Sequence, residues 1–307
     1  MTSGLSRGLD HIVHAVRDLD AAGEFYRRAG FTVGARNRHP WGTHNRIVQF
    51  PGFFIELITV GEPELIVAPT ARSFSFGDFT RDFLSREQGL SMLVLEGKEA
   101  AADVAAFHQA GIGHFDKFEF ERDARRPDGS TVKVGFSLAF ATDPKAPGIG
   151  YFTCQQHFPE NFWNPAFQTH ANGVTGIADV TMVAENPADH AAFFRAFSGV
   201  SDVKSNSNGI AIKTPRGEIQ VMDATAYRQH FAVEPPDLTR GARLAAIRLS
   251  VHNEAALIAT LGKGGIAASE HMDNVIIPSD AAHGATLIFE MGASPAWSAD
   301  AVQKEKP

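Results

Sequence analysis

The sequence predicts an α+β protein built from four strand–helix–three-strand modules, paired into two halves. Two observations predict it. The stretch 10–18 (Asp-His-Ile-Val-His-Ala-Val-Arg-Asp, then Phe25-Tyr26-Arg27) is matched at 178–186 (Ala-Asp-Val-Thr-Met-Val-Ala-Glu-Asn, then Phe193-Phe194-Arg195), 168 positions later with no insertion. A repeat of that size means a duplicated supersecondary unit, so the fold can be read from the unit. The 307 residues, 44% hydrophobic and 21% charged, are ordinary globular composition and enough for about two domains with a core each. The boundary is expected near the aromatic connector, giving domains 1–170 and 171–307.

In the first module, 9–16 reads as a strand, Asp18 or Asp20 as the cap of the next helix, and Gly30 as its C-terminal stop. Strands are expected at 31–35, 46–50 and 53–59, with Pro51-Gly52 as the last turn. The second module has a strand at 91–96, a helix at 99–110 closed by Gly111, and strands at 115–122, 131–141 and 151–157. Pro127-Asp128-Gly129 is its hairpin turn. The third starts at Gly176, with a helix at 187–197 and strands near 202–205, 209–213 and 218–223. The fourth starts at Arg243, with a helix at 253–261 and a last strand at 286–290. Segments 60–88 and 158–173 read as irregular connectors, and the tail after Gly292 as frayed.

Net charge is -7 and the pI about 6.0, with no charge blocks. A nucleic-acid footprint or polybasic membrane patch is not expected. The single cysteine, Cys154, permits no internal disulfide and suits a reducing compartment. No apolar leader or segment of roughly 18 apolar residues is present, so a cytoplasmic protein is expected. Gly-x-Ser-x-Gly, the phosphate-binding loop and the dinucleotide fingerprint are all missing. Cys154 has no cationic neighbour in sequence and reads as structural.

Asp10-His11-Ile12-Val13, Val16-x-Asp18-Leu19-Asp20, Phe25-Tyr26 and Phe54-Ile55-Glu56-Leu57-Ile58 resemble a glyoxalase-like domain of the vicinal oxygen chelate superfamily, which includes glyoxalase I, extradiol dioxygenases and bleomycin-resistance proteins. Over residues 9–290 the resemblance implies curved mixed sheets and a divalent metal in a cleft, held by first-strand and last-strand side chains. Carried over, those positions are His11 and Glu56. The residues agree, since a Glu inside an apolar strand is costly to bury without a partner. His14, an odd offset away, belongs on the opposite face.

The second module departs from the pattern: Leu90-Ser91-Met92 stands where a histidine is implied, and the last strand ends Thr153-Cys154-Gln155-Gln156-His157. Alternation puts Thr153, Gln155 and His157 on one face, so His157 is the expected third metal ligand, with Gln155 beside it at the substrate. Two histidines and a carboxylate suit Zn, Ni, Mn or Co as a Lewis acid, or Fe(II) as in oxygenases. The 36–45 loop offers Arg38 to pair with an anionic group, Trp41 to stack, and His44 as acid or base; Tyr151 is also placed at the substrate. Phe74–Phe83 and Phe162-Trp163 are expected as a hydrophobic lid or wall.

The second half looks degenerate: Asp179 and Ala246 take the place of His11, Asp223 and Glu290 lie near strand ends, and His252 reads as a helix cap. The expected activity is a metal-dependent lyase or isomerase acting through an enediolate, with Glu56 or His44 as base. The alternatives are an Fe(II) extradiol-type dioxygenase and a non-catalytic binding or resistance protein. The partner is a small-molecule substrate, and a homodimer stays open because such units pair within or between chains.

Overall fold

The computed structural model describes residues 6–125 and 129–291. Pro127, Asp128 and the tail from Gly292 lie outside the described residues. The first module is β1 (Leu9–Ala15), α1 (Leu19–Arg28), β2 (Asn37–Arg38), β3 (Thr43–Phe50) and β4 (Phe53–Val60), followed by α2 (Phe76–Arg86). The second is β5 (Gly89–Glu96), α3 (Ala100–Ala110), β6 (Phe118–Arg125), β7 (Thr131–Ala141) and β8 (Gly150–Gln156), followed by the one-turn α4 (Pro159–Phe162). The third is β9 (Val174–Val183), α5 (Ala191–Ser198), β10 (Val203–Asn206), β11 (Gly209–Lys213) and β12 (Glu218–Met222), then α6 (Ala224–Phe231). The fourth is β13 (Arg243–Val251), α7 (Glu254–Gly264), β14 (Ser269–His271), β15 (Asn274–Ile277) and β16 (Thr286–Met291).

Each half is one eight-stranded mixed sheet. The orders β2-β3-β4-β1-β5-β8-β7-β6 and β10-β11-β12-β9-β13-β16-β15-β14 are the same pattern repeated. Two first strands pair antiparallel at each centre (β1 with β5, β9 with β13), and the last strand of each module joins its first strand in parallel. A parallel partner requires a crossover, which the module's helix supplies. Asp18 caps α1 through the amides of Asp20 and Ala21, while Gly111, Gly199 and Gly265 end α3, α5 and α7 in the left-handed conformation.

The helix-bearing faces of the two sheets pack together. α1 meets α7, α3 meets α5, and β5 approaches β13. One continuous core therefore draws Tyr26 and Phe107 from the first half and Phe194, Phe197 and Phe289 from the second, where composition suggested a core for each. At this seam Gly284, with φ +89°, lies against the Gln88 carbonyl; a Cβ there would sit 2.0 Å from that oxygen.

The opposite faces are concave. The first curls until Trp41, in the β2–β3 loop, touches Phe118 and Phe120 of the far edge strand β6. One end of each concavity is plugged by a helix absent from the sequence reading. α2 inserts Phe76 and Phe83, and α6 inserts Tyr227 and Phe231. The expected strand at 31–35 is also corrected. The Phe31 amide closes α1 on the Tyr26 carbonyl and the Thr32 amide donates to His170, so the segment meets β3 only through the Gly34 amide on the Ile47 carbonyl before β2 begins.

Candidate functional site in the first half

The concave face of the first sheet holds a cavity of about 490 Å³. Its walls are aromatic: Trp41, Phe54, Phe76, Phe120, Phe152 and Phe162. Phe162 and Trp163 belong to the connector after β8, and the Gln49 side chain holds that connector. Its amide donates to the Phe162 carbonyl at 2.8 Å, and its oxygen accepts from the Asn164 amide at 3.1 Å. Phe162 lies 5.0 Å from Phe54, and Phe162 and Trp163, expected from sequence as a hydrophobic lid or wall, both line the cavity.

His11 and Glu56 both line this cavity. The His11 ring stacks on Phe54 at 4.2 Å, and its Nδ1 meets the buried Asp10 carboxylate at 2.5 Å. With Nδ1–H given to Asp10, Nε2 is left as an acceptor. Among the described residues Nε2 has no protein partner. Glu56 accepts from the Asn45 side chain at 2.6 Å through Oε1. His39, 4.0 Å from the same oxygen, stacks on Trp41 at 4.7 Å, and burial pushes its pKa down.

Five expected site residues lie elsewhere. His44 accepts from Arg36 through Nδ1 and pairs with Glu62 through Nε2 at 2.9 Å, away from the cavity. Strand β3 begins at Thr43, so alternation gives the inward position to Asn45. Arg38 is exposed and lies 3.6 Å from Glu62. Gln155 accepts from the Ala100 amide at the start of α3, on the helix side of the sheet. His157 is exposed and shares a 2.8 Å hydrogen bond with Ser137. Tyr151 is buried against Phe193 and Phe197 of the second half, with its hydroxyl toward Met182. The inward residues of β8 are Phe152 and Cys154, the opposite face from the one proposed. The sequence reading missed His39, which follows a two-residue strand too short to show periodicity, and Asn45, which sits in the part of β3 that reads as loop.

A seven-residue spacing compares the four modules. His11 precedes its helix cap Asp18 by seven positions; the same count from Glu99, Asn186 and Asn253 gives Met92, Asp179 and Ala246. The strand registers place Phe54, Gly150, Glu218 and Thr286 opposite these. Two residues further on stand Glu56, Phe152, Gln220 and Ile288. Only the first module keeps a histidine with a glutamate.

In the second half, Asp179 is fully buried against Arg248, which also reaches Glu290 at 3.5 Å. An internal guanidinium thus supplies positive charge on that concave face. Asp223 caps α6 at the Ala226 amide. His252 bonds the Gly173 carbonyl, and Asn253 is the cap in its place.

The family model for a glyoxalase-like domain matches residues 9–197. The chain belongs to this family, within the vicinal oxygen chelate superfamily. None of the curated proteins matches the chain. Among solved structures, a hypothetical protein from Staphylococcus aureus superposes with TM-score 0.64 at 15% identity, covering 93% of this chain and 99% of that one. A variant of 4-hydroxymandelate synthase from Streptomyces coelicolor gives 0.56 at 9%, covering 97% and 96%. The Mn(II)-bound glyoxalase from Novosphingobium aromaticivorans gives 0.54 at 12%, covering 94% and 84%. These likenesses establish the fold. No described helix is long and apolar enough to cross a membrane.

The resemblance implies a divalent metal, and the residues present fit one poorly. Met92 and Phe152 bring apolar groups to two of the four positions, and His157 is on the other side of the sheet. Among the described residues no three His, Cys, Asp or Glu side chains gather to hold an ion. Two donors make a weak, exchangeable site. After dialysis against EDTA and then metal-free buffer, elemental analysis is expected to find well under one equivalent of Zn, Ni, Mn, Co or Fe. A full equivalent that survives dialysis and is lost in His11→Ala contradicts this.

Proposed function

We propose that this chain is a glyoxalase-like isomerase that moves protons between adjacent carbons of an aromatic α-hydroxy carbonyl compound. The observation carrying this reading is the pair Asp10–His11 and Asn45–Glu56 in one aromatic cavity. Glu56, positioned by Asn45, takes the proton from the carbon bearing the hydroxyl and returns it to the neighbouring carbon. His11, held by Asp10 in the tautomer that leaves Nε2 unprotonated, takes the hydroxyl proton and returns it to the former carbonyl oxygen. Asp10 stabilises the transient imidazolium. The aromatic walls exclude water and strengthen both interactions. The metal dependence and dioxygenase chemistry suggested by the resemblance have less support, because the two-histidine, one-carboxylate set is not assembled. Met92 and Phe152 at two ligand positions favour, as a second reading, a plain small-molecule binder.

Proton abstraction leaves a solvent isotope trace, so proton NMR in D₂O separates the readings. Wild type is expected to accelerate deuterium uptake into 2-hydroxyacetophenone or a related aromatic α-hydroxy ketone. Glu56→Gln should slow that exchange about 10²–10⁴-fold, and His11→Ala should reduce it too. Binding without exchange across the panel would leave the binder.

A further inference from the structure

Arg122 lies on β6 two residues past Phe120, which touches Trp41 at 4.9 Å, and both line the cavity. It is half-buried, and desolvation lowers its pKa. Its hydrogen bond goes to the main-chain oxygen of Asp123 at 3.3 Å, and among the described residues no carboxylate pairs with it. A guanidinium withdrawn from water without an ion partner is costly, and its planar fork matches a carboxylate. The other N–H groups of Arg122 have no acceptor among the described residues, and neither does the buried indole Nε1 of Trp41 on the same cavity wall. Two unmatched donors on one aromatic wall point to an anionic acceptor from outside the chain.

We propose that Arg122 is the specificity-determining residue of the cavity and that its ligand is an aromatic carboxylate. Resting on the cavity reading above, this places the acid at Arg122 and Trp41, the ring between Trp41 and Phe54, and the reacting oxygens at Glu56 and His11. A monoanion is the better match than a phosphate dianion. Arg122 is the only Lys or Arg among the described lining residues, where Glu56 and Glu160 already bring negative charge. A ligand with an acid at one end and a hydroxyl at the other keeps its charge away from Glu56.

The test uses the whole protein and two probes of the same shape, 1-naphthoate and 1-naphthamide, titrated by calorimetry with tryptophan quenching as a second signal. Wild type is expected to bind the acid at least about tenfold tighter than the amide. In Arg122→Met the two affinities should converge, with the melting temperature held because no ion pair is broken. Arg122→Lys should keep part of the preference, and it serves if the Met variant does not fold. Equal affinities in wild type, or an unchanged ratio in Arg122→Met, overturn the assignment while leaving the cavity reading intact. Failure of both probes to bind also overturns it, and the deuterium exchange then decides separately whether the proton-transfer reading stands.

Discussion

Lowering the pH from 7 to 5 is expected to cost the fold roughly 4 kcal/mol, through two buried histidines. His14 donates from Nε2 to the His283 carbonyl at 2.9 Å, so its Nδ1 accepts from the Tyr26 hydroxyl at 3.0 Å. His170 donates from Nε2 to the Gln49 carbonyl at 2.9 Å and accepts from the Thr32 amide at 3.1 Å. Each ring is satisfied only when neutral, and burial lowers each pKa from 6.5 to about 4. Below 6.5 the unfolded chain takes up protons that the folded chain refuses, so stability falls with pH and levels off only below about 4. Each group contributes roughly 2 kcal/mol at pH 5, a large share of the ~5–15 kcal/mol typical of folded domains. Urea unfolding at pH 7 and pH 5 reads the loss, and His14→Gln should remove about half of the slope. A pH-independent midpoint across that window contradicts the assignment.

Arg248→Met should destabilise the second half by about 3–5 kcal/mol, because it strands the fully buried Asp179 carboxylate. Thr181 still donates to Asp179 at 2.9 Å, but one hydroxyl cannot replace a guanidinium. The double variant Asp179→Leu with Arg248→Met should recover most of the loss, since an apolar pair fills the space without uncompensated charge. Thermal unfolding of the three proteins checks this; a single variant within about 0.5 kcal/mol of wild type would mean the pair is not as buried as described.

How far the site could be read ahead of the structure depended on which signals are local. His11 was legible because the strand, the Asp18 cap and the helix are contiguous, and a fixed spacing to the cap carries the position. Glu56 was legible because a charge in an apolar strand needs an explanation. His157 and Gln155 failed for a different reason. Alternation tells which residues share a face but not which face turns inward, and here the outward face carries the polar donors while Phe152 and Cys154 turn in. The parity of β3 was unreadable because its true start, Thr43, lies inside what reads as a loop; shifting it exchanges His44 for Asn45. α2 carries a local signal inside the segment that reads as a connector: Ser75 as cap and Phe76, Thr80 and Phe83 on one buried face. Arg122 needs the closed sheet, because only the curl of β6 back to Trp41 brings it to the cavity.

The proposed proton transfer belongs to the first half, with the second half in a supporting role. The deciding measurement is the deuterium-exchange rate of Glu56→Gln beside that of Glu218→Gln, the latter on β12 next to Asp179, where burial raises its pKa. Glu56→Gln is expected to lose about 10²-fold or more while Glu218→Gln stays within a factor of two of wild type. Exchange that survives Glu56→Gln and collapses in Glu218→Gln would place the working site in the second sheet and contradict that assignment.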